Sequence, residues 1–200
     1  YPVLESIKDQ IGDAYRLLEA CYENGGKLLI AGNGGSAADS DHIVGELMKG
    51  FVKRRPVSAK LAKALKQTDP ERGAELAKKL QGGLPAIALT SHAALSSAFA
   101  NDVDGTLSYA QQVNGYGKEG DIFLGISTSG NAENVMYAAV TAKAKGLKVI
   151  GLTGKTGGKL AKIADVSIIV PEQETYKIQE LHLPIYHALC LMLEDRFYAE

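Results

Sequence analysis

At 200 residues, with 46% hydrophobic and 22% charged side chains and a formal net charge of -1, the chain has the size of one α/β domain that can bury a core without disulfides or a structural metal. That balance excludes a general nucleic-acid surface, which needs a basic stripe to neutralise phosphates, and no apolar run approaches the length of a membrane span. Charges near the start, where a signal peptide would carry its apolar block, and two cysteines set in apolar helical patterns, Cys21 and Cys190, lead to the expectation of a reducing cytoplasm with both thiols packed in the core.

In chain order, residues open on Tyr1 rather than Met, so a preceding N-terminal segment is expected. Leu4, Ile7, Ile11, Ala14, Leu18 and Cys21 then recur at helical spacing ahead of Gly25 and Gly26, which predicts a first helix closed by a glycine cap. Strand-like runs follow at residues 27–31, 85–90, 121–127, 148–153 and 166–170, with helical patterns between them. The alternation predicts a single domain over residues 1–200 built on a parallel sheet with covering helices. Between Arg54 and Gly83, two Lys- and Ala-rich stretches flank Thr68-Asp-Pro70. They read as an inserted helical hairpin, an exposed excursion of good helix formers rather than a recognition element. Val135, Ala138, Ala139 and Ala142 form one apolar face of a later helix that Gly146 closes.

Two small-residue turns stand directly after strand-like runs: Gly-Asn-Gly-Gly-Ser-Ala at residues 32–37 and Ser-Thr-Ser-Gly-Asn at residues 127–131. Small residues let backbone approach a ligand, and hydroxyls with helix N-terminal amides hold phosphate. In open parallel sheets ligands lie beyond the carboxyl ends of the strands, where both turns are placed. The first turn also fits a degenerate dinucleotide fingerprint through Gly32, Gly34 and Ala37. That reading wants an acidic strand end about 20 residues on, whereas the chain there is Phe51-Val-Lys-Arg-Arg-Pro56, so phosphate binding ranks above it. In the second turn Asn131 suits a cap for the next helix.

His42 and Glu46 lie four residues apart on the helix after the first turn, hence on one face, where they suit a metal or an acid-base pair. The last helix carries Gln179, His182 and His187, with Pro184 expected to disturb it. Gln179 and His187 are separated by about 12 Å along an ideal helix, too far for an obvious shared ion unless the helix kinks or a neighbouring subunit takes part. Spacing alone leaves His182 and His187 as alternatives.

Together these residues resemble the SIS (sugar isomerase) domain, specifically the phosphoheptose isomerase family. The resemblance rests on the two turns, on His42 and Glu46, on Ala100-Asn-Asp102, on Leu152-Thr-Gly-Lys155 with Gly157-Gly158, and on Ile178-Gln-Glu-Leu-His182 with His187. It implies an α/β three-layer sandwich with a central five-stranded parallel sheet, flavodoxin-like, plus the helical insertion at 54–83. It implies that Asn33, Gly34, Gly35, Ser36, Asn101, Asp102, Ser127, Thr128 and Ser129 line a sugar-phosphate site, with Glu46 and Gln179. His42, Glu46, Gln179 and His187 then match zinc-ligand positions, and Glu46 and His187 an acid-base pair, which selects His187 over His182. The implied reaction is isomerisation of sedoheptulose 7-phosphate through an enediolate in a cytoplasmic homotetramer with sites at subunit boundaries. Ala132 stands where the family usually has a phosphate-contacting Ser, and the insertion and Pro184 also depart from its pattern. Two other classes share the motifs: a non-catalytic protein resembling the replication-initiator-associating proteins, and a sugar-phosphate sensor.

Overall fold

The computed structural model describes residues 1–198; Ala199 and Glu200 lie outside the described residues. A 3₁₀ turn over Pro2–Ile7 leads into α1 (Lys8–Glu23), followed by β1 (Leu28–Gly32), α2 (Gly35–Met48), α3 (Ala59–Thr68), α4 (Pro70–Lys79) and β2 (Ala86–Ala88). Next come α5 (Ala93–Phe99), two short turns through Leu107, α6 (Ser108–Tyr116), β3 (Ile122–Ser127), α7 (Glu133–Ala144), β4 (Lys148–Thr153), α8 (Leu160–Ile163), β5 (Val166–Ile169) and α9 (Thr175–Phe197). Among the described residues no helix is long and apolar enough to cross a membrane.

The five strands form one sheet in the order β2-β1-β3-β4-β5, every pair parallel. Because side chains alternate along a strand, Leu28 and Ile30 of β1 join one core with Leu18, Ile43, Ile178 and Ile185, while Leu29 and Ala31 join another with Val113, Val135 and Ala138. Helices α1, α2 and α9 thus cover one face, and α6, α7 and α8 the other. Cys21 and Cys190 are buried and free, as their apolar neighbours predict.

The glycine cap on α1 forms as expected: the Gly26 N–H donates to the Cys21 carbonyl at 2.9 Å and the Gly25 N–H to Tyr22 at 3.1 Å, the paired bonds of a Schellman motif. The stretch from Arg54 to Gly83 does fold as a hairpin of α3 and α4, capped by Ser58 and Asp69 side chains. Its two helices pack chiefly on each other, with Gly73 against the backbone of Leu65. Two local expectations change. Helix α9 runs unbroken through Pro184, losing only the bond that a residue there would donate to the Glu180 carbonyl. Asn131 does not cap α7, whose N-cap is Ala132 without a side-chain bond; its amide instead donates to the Ser129 carbonyl at 3.0 Å and its oxygen accepts from the Lys159 N–H at 3.1 Å.

Candidate active site

β1 sends the chain to β2 on one side of the sheet, and β3 continues to β4 and β5 on the other. The carboxyl ends of β1 and β3 therefore flank the crevice where connections diverge, the place where open α/β sheets bind ligands. Both small-residue turns are there. Asn33–Ser36 is a β-turn closed by the Ser36 N–H donating to the Asn33 carbonyl at 3.0 Å. Gly34 has φ 57° and ψ -121°, the values of the first central position of a type II′ turn, which suits glycine. The next residue, Gly35, opens α2 and lies so near Gln179 that a Cβ would stand 2.6 Å from its Nε2.

Gly34, Gly35 and Ser36 face Ser127, Thr128 and Ser129 across a cleft of about 270 Å³. Gln179 and Thr175 from the start of α9 complete its wall, and Ala132 contributes a methyl group. Backbone amides, hydroxyls and the positive ends of α2 and α7 suit this cleft to an anion, as a candidate phosphate cradle. Asn33 also lines it, but its amide is held: Asn33 and Asn134 exchange two hydrogen bonds of 2.9 Å, joining the first turn to α7. Tyr109 supports the same turn by donating its hydroxyl to the Gly32 carbonyl at 2.8 Å. Asn101 and Asp102 do not line the cleft. They are exposed on the turn after α5, where the Asn101 amide donates to Asp102 at 2.8 Å.

Helices α2 and α9 lie side by side and run the same way, since Gly35 meets Gln179 and, seven residues further along each, His42 meets Tyr186. At this second level His42 Nε2 stands 3.4 Å from Glu46 Oε1, and Lys49 Nζ is 3.0 Å from the other Glu46 oxygen. The His187 ring lies 5.1 Å from that of His42 and 5.3 Å from Phe51. Its Nε2 is buried without a hydrogen-bond partner. Burial, then the neighbouring His42, lowers the His187 pKa from its ordinary value, while Glu46 opposes them. His182 is different: fully buried, it meets the Thr153 carbonyl through Nε2 at 3.2 Å, and burial lowers its pKa to about 4 against the raising effect of that carbonyl. His182 belongs to the core.

A chain of polar contacts joins Asp39, Tyr186 and His42. The Tyr186 hydroxyl is 3.2 Å from Asp39 Oδ1 and 3.0 Å from His42 Nδ1. Burial, then the nearby Asp39, drives the Tyr186 pKa well above its ordinary value, so this hydroxyl keeps its proton and donates it to the carboxylate. Its oxygen faces Nδ1 of His42, whose Nε2 faces Glu46. Among the described residues no three His, Cys, Asp or Glu side chains converge as a ready metal cage. Gln179 remains at the cleft, two turns of α9 from His187.

Asp39, Tyr186, Asn134, Lys49 and Phe51 were not singled out in the sequence. Asp39 is three residues before His42 on one helix face and so carried a local signal; the partnership of Asn33 with Asn134, 101 residues apart, carried none.

Comparison with known proteins agrees with this architecture. The family model described as "SIS domain" matches residues 2–82 and 70–154, two stretches that overlap at α4. The chain is 40% identical to the phosphoheptose isomerase of Aneurinibacillus thermoaerophilus over 177 residues, covering 88% of this chain and 76% of that protein. It is 35% identical to that of Sulfurimonas denitrificans over 196 residues, covering 98% and 87%. Among solved structures, a phosphoheptose isomerase from Francisella tularensis superposes with a TM-score of 0.80 at 32% identity, covering 97% of this chain and 90% of that one. One from Neisseria gonorrhoeae gives 0.77 at 31% identity with the same coverage. With its sheet order, its paired turns and relatives at this level of identity, the chain belongs to the SIS domain family and, within it, to the phosphoheptose isomerases.

Proposed function

We propose that the protein isomerises a phosphorylated sugar between its ketose and aldose forms, with sedoheptulose 7-phosphate as substrate and the corresponding heptose 7-phosphate as product. The observation that carries this reading is the two-level arrangement along α2 and α9. An anion cradle lies at Gly35 and Gln179, and a carboxylate with two imidazoles lies seven or more residues further on. Seven helical residues span about 10 Å, of the order of an extended sugar phosphate. The phosphoryl group supplies remote binding energy at the cradle and fixes the orientation of the reacting end.

Isomerisation moves a proton between adjacent carbons through an enediolate, so it needs a base near carbon and an acid near oxygen. Glu46 is the base in this reading. His187 exchanges the proton on the oxygen side through its unpartnered Nε2, a role that its lowered pKa favours because the imidazole is neutral near pH 7. Zinc suits the donor chemistry of His42 Nε2 and Glu46, which would hold it; His187 Nε2 would complete that set only in a state in which it does not carry the proton. When bound, zinc supplies a Lewis acid that stabilises negative charge on the enediolate oxygens. Gln179 joins that set in this reading only from a neighbouring subunit. A homotetramer with sites at subunit boundaries completes this reading and rests on the family resemblance; Leu183, Leu191 and Met192 leave apolar surface along α9 that suits contact with a second subunit.

The test is incubation of the pure protein with a panel of ketose phosphates, with and without zinc, followed by identification of the products. Glu46→Gln is expected to abolish turnover while retaining affinity for inorganic phosphate; undiminished turnover removes Glu46 from the mechanism. Ligand-induced thermal stabilisation without turnover by the unaltered protein would identify a sugar-phosphate sensor instead.

A further inference from the structure

The segment that leaves α2 is anchored by one buried ion pair. Arg55 and Glu194 are both fully buried, with Arg55 Nε 2.8 Å from Glu194 Oε1. The same carboxylate accepts the N–H groups of Phe51, Val52 and Lys53 at 2.8, 2.9 and 3.1 Å. From its other side the guanidinium donates to the carbonyls of Leu47 at 2.8 Å and Glu46 at 3.2 Å, and the Tyr198 ring covers it at 4.7 Å. Burial alone would raise the Glu194 carboxyl, but the N–H groups of Val52 and Phe51, with Arg55, hold it below the ordinary value. The pair is therefore charged.

Stability is a weak reason to keep such a pair, because desolvating two ions offsets most of their attraction and well-packed apolar residues often serve as well. Its bonds offer a better reason. Glu194 is seven residues beyond His187 on α9, close to two helical turns and hence on the same face. The carbonyls that Arg55 holds belong to the last turn of α2, whose final C=O groups lack helical partners; one of them is the carbonyl of Glu46 itself. Phe51, whose N–H is held by Glu194, packs its ring on His187.

We infer that Arg55 and Glu194 are positioning residues for the isomerase centre, a clamp that sets the end of α2, with Glu46 and Phe51, in register with His187 on α9. The inference rests on the isomerase reading above for its kinetic consequence, and on geometry alone for its structural one. The phosphate cradle lies at the opposite end of α2, so the clamp acts on the proton-transfer end and not on phosphate binding.

Arg55→Lys keeps the charge but cannot span both Glu194 and the two α2 carbonyls; Glu194→Gln turns an amide NH₂ toward N–H donors. Each variant is measured for kcat and KM on the ketose phosphate that the unaltered protein converts, for Kd toward inorganic phosphate, and for its histidine ring resonances by ¹H–¹⁵N NMR. The expected result is a kcat lowered at least about tenfold, KM and phosphate Kd within about twofold, and a displaced His187 resonance with that of His182 in place. Two results overturn the inference: a folded variant with unchanged kcat and His187 resonance, or one in which phosphate Kd and the His182 resonance change as much as the rest, which is general loosening. If the unaltered protein converts no sugar phosphate, the isomerase reading fails and the His187 resonance alone decides the clamp. Should both variants fail to fold, Tyr198→Leu, which removes the ring over the guanidinium and keeps an apolar side chain against the core, carries the same measurements.

Discussion

Gly34→Ala isolates the conformational requirement of the first turn. A Cβ at Gly34 meets nothing within 4 Å, so the substitution adds no steric conflict, and its effect comes from holding an L-residue at φ 57° and ψ -121°. Such strain costs about 1–3 kcal/mol. It has two outlets. If the turn keeps its shape, the strain falls on the fold, and for a chain of this size each kcal/mol lowers Tm by roughly 2–4 °C, hence by about 2–12 °C in all. If the turn relaxes instead, Tm is spared, but the backbone amides leave the cradle and must be restored at the cost of binding. Kd for inorganic phosphate then rises by about 5- to 150-fold. Melting curves with and without saturating phosphate, together with calorimetric titration, measure both outlets, and their sum is expected to lie near the strain. A Tm within about 1 °C of the unaltered protein together with a Kd within about twofold would refute both the strained turn and its part in anion binding.

His182 makes stability depend on pH. Its folded pKa of about 4 lies below the ordinary value near 6.5, so its contribution is fully present above about pH 6.5 and is lost as the pH falls toward 4, amounting to roughly 3 kcal/mol. Thermal melts over that interval should flatten in His182→Asn; parallel curves for the two proteins would assign the acid loss elsewhere. Tyr186→Phe removes the hydroxyl between Asp39 and His42. If the protein holds zinc as proposed, the substitution is expected to weaken that binding about 10- to 100-fold and to leave phosphate affinity unchanged, as titration with each ion alone would measure. Unaltered zinc affinity would set aside a part for this hydroxyl in orienting His42.

Much of this protein is written in local pattern. Period-2 and period-3.6 alternation, the Gly25-Gly26 cap and the apolar face of Val135 to Ala142 each depend on neighbours a few residues away, so the strands, the hairpin of α3 and α4, and the cradle turns can be read before folding. Strand order is less local, yet parallel strands joined by helices leave few ways to cover both faces of a sheet. What only the tertiary structure decided is which distant side chains meet. Asn33 is spent on Asn134, Asn131 ties two turns together rather than capping α7, Asn101 and Asp102 stand outside the cleft, and Gln179 is set apart from His187. The parallel packing of α2 on α9 separates His182 from His187: the first points into the sheet and the second toward His42. Arg55 and Glu194, 139 residues apart, had no signal in the chain. Each of these choices depends on long-range packing, and for Arg55 and Glu194 also on the need of buried polar groups for partners, neither of which leaves a period in the sequence.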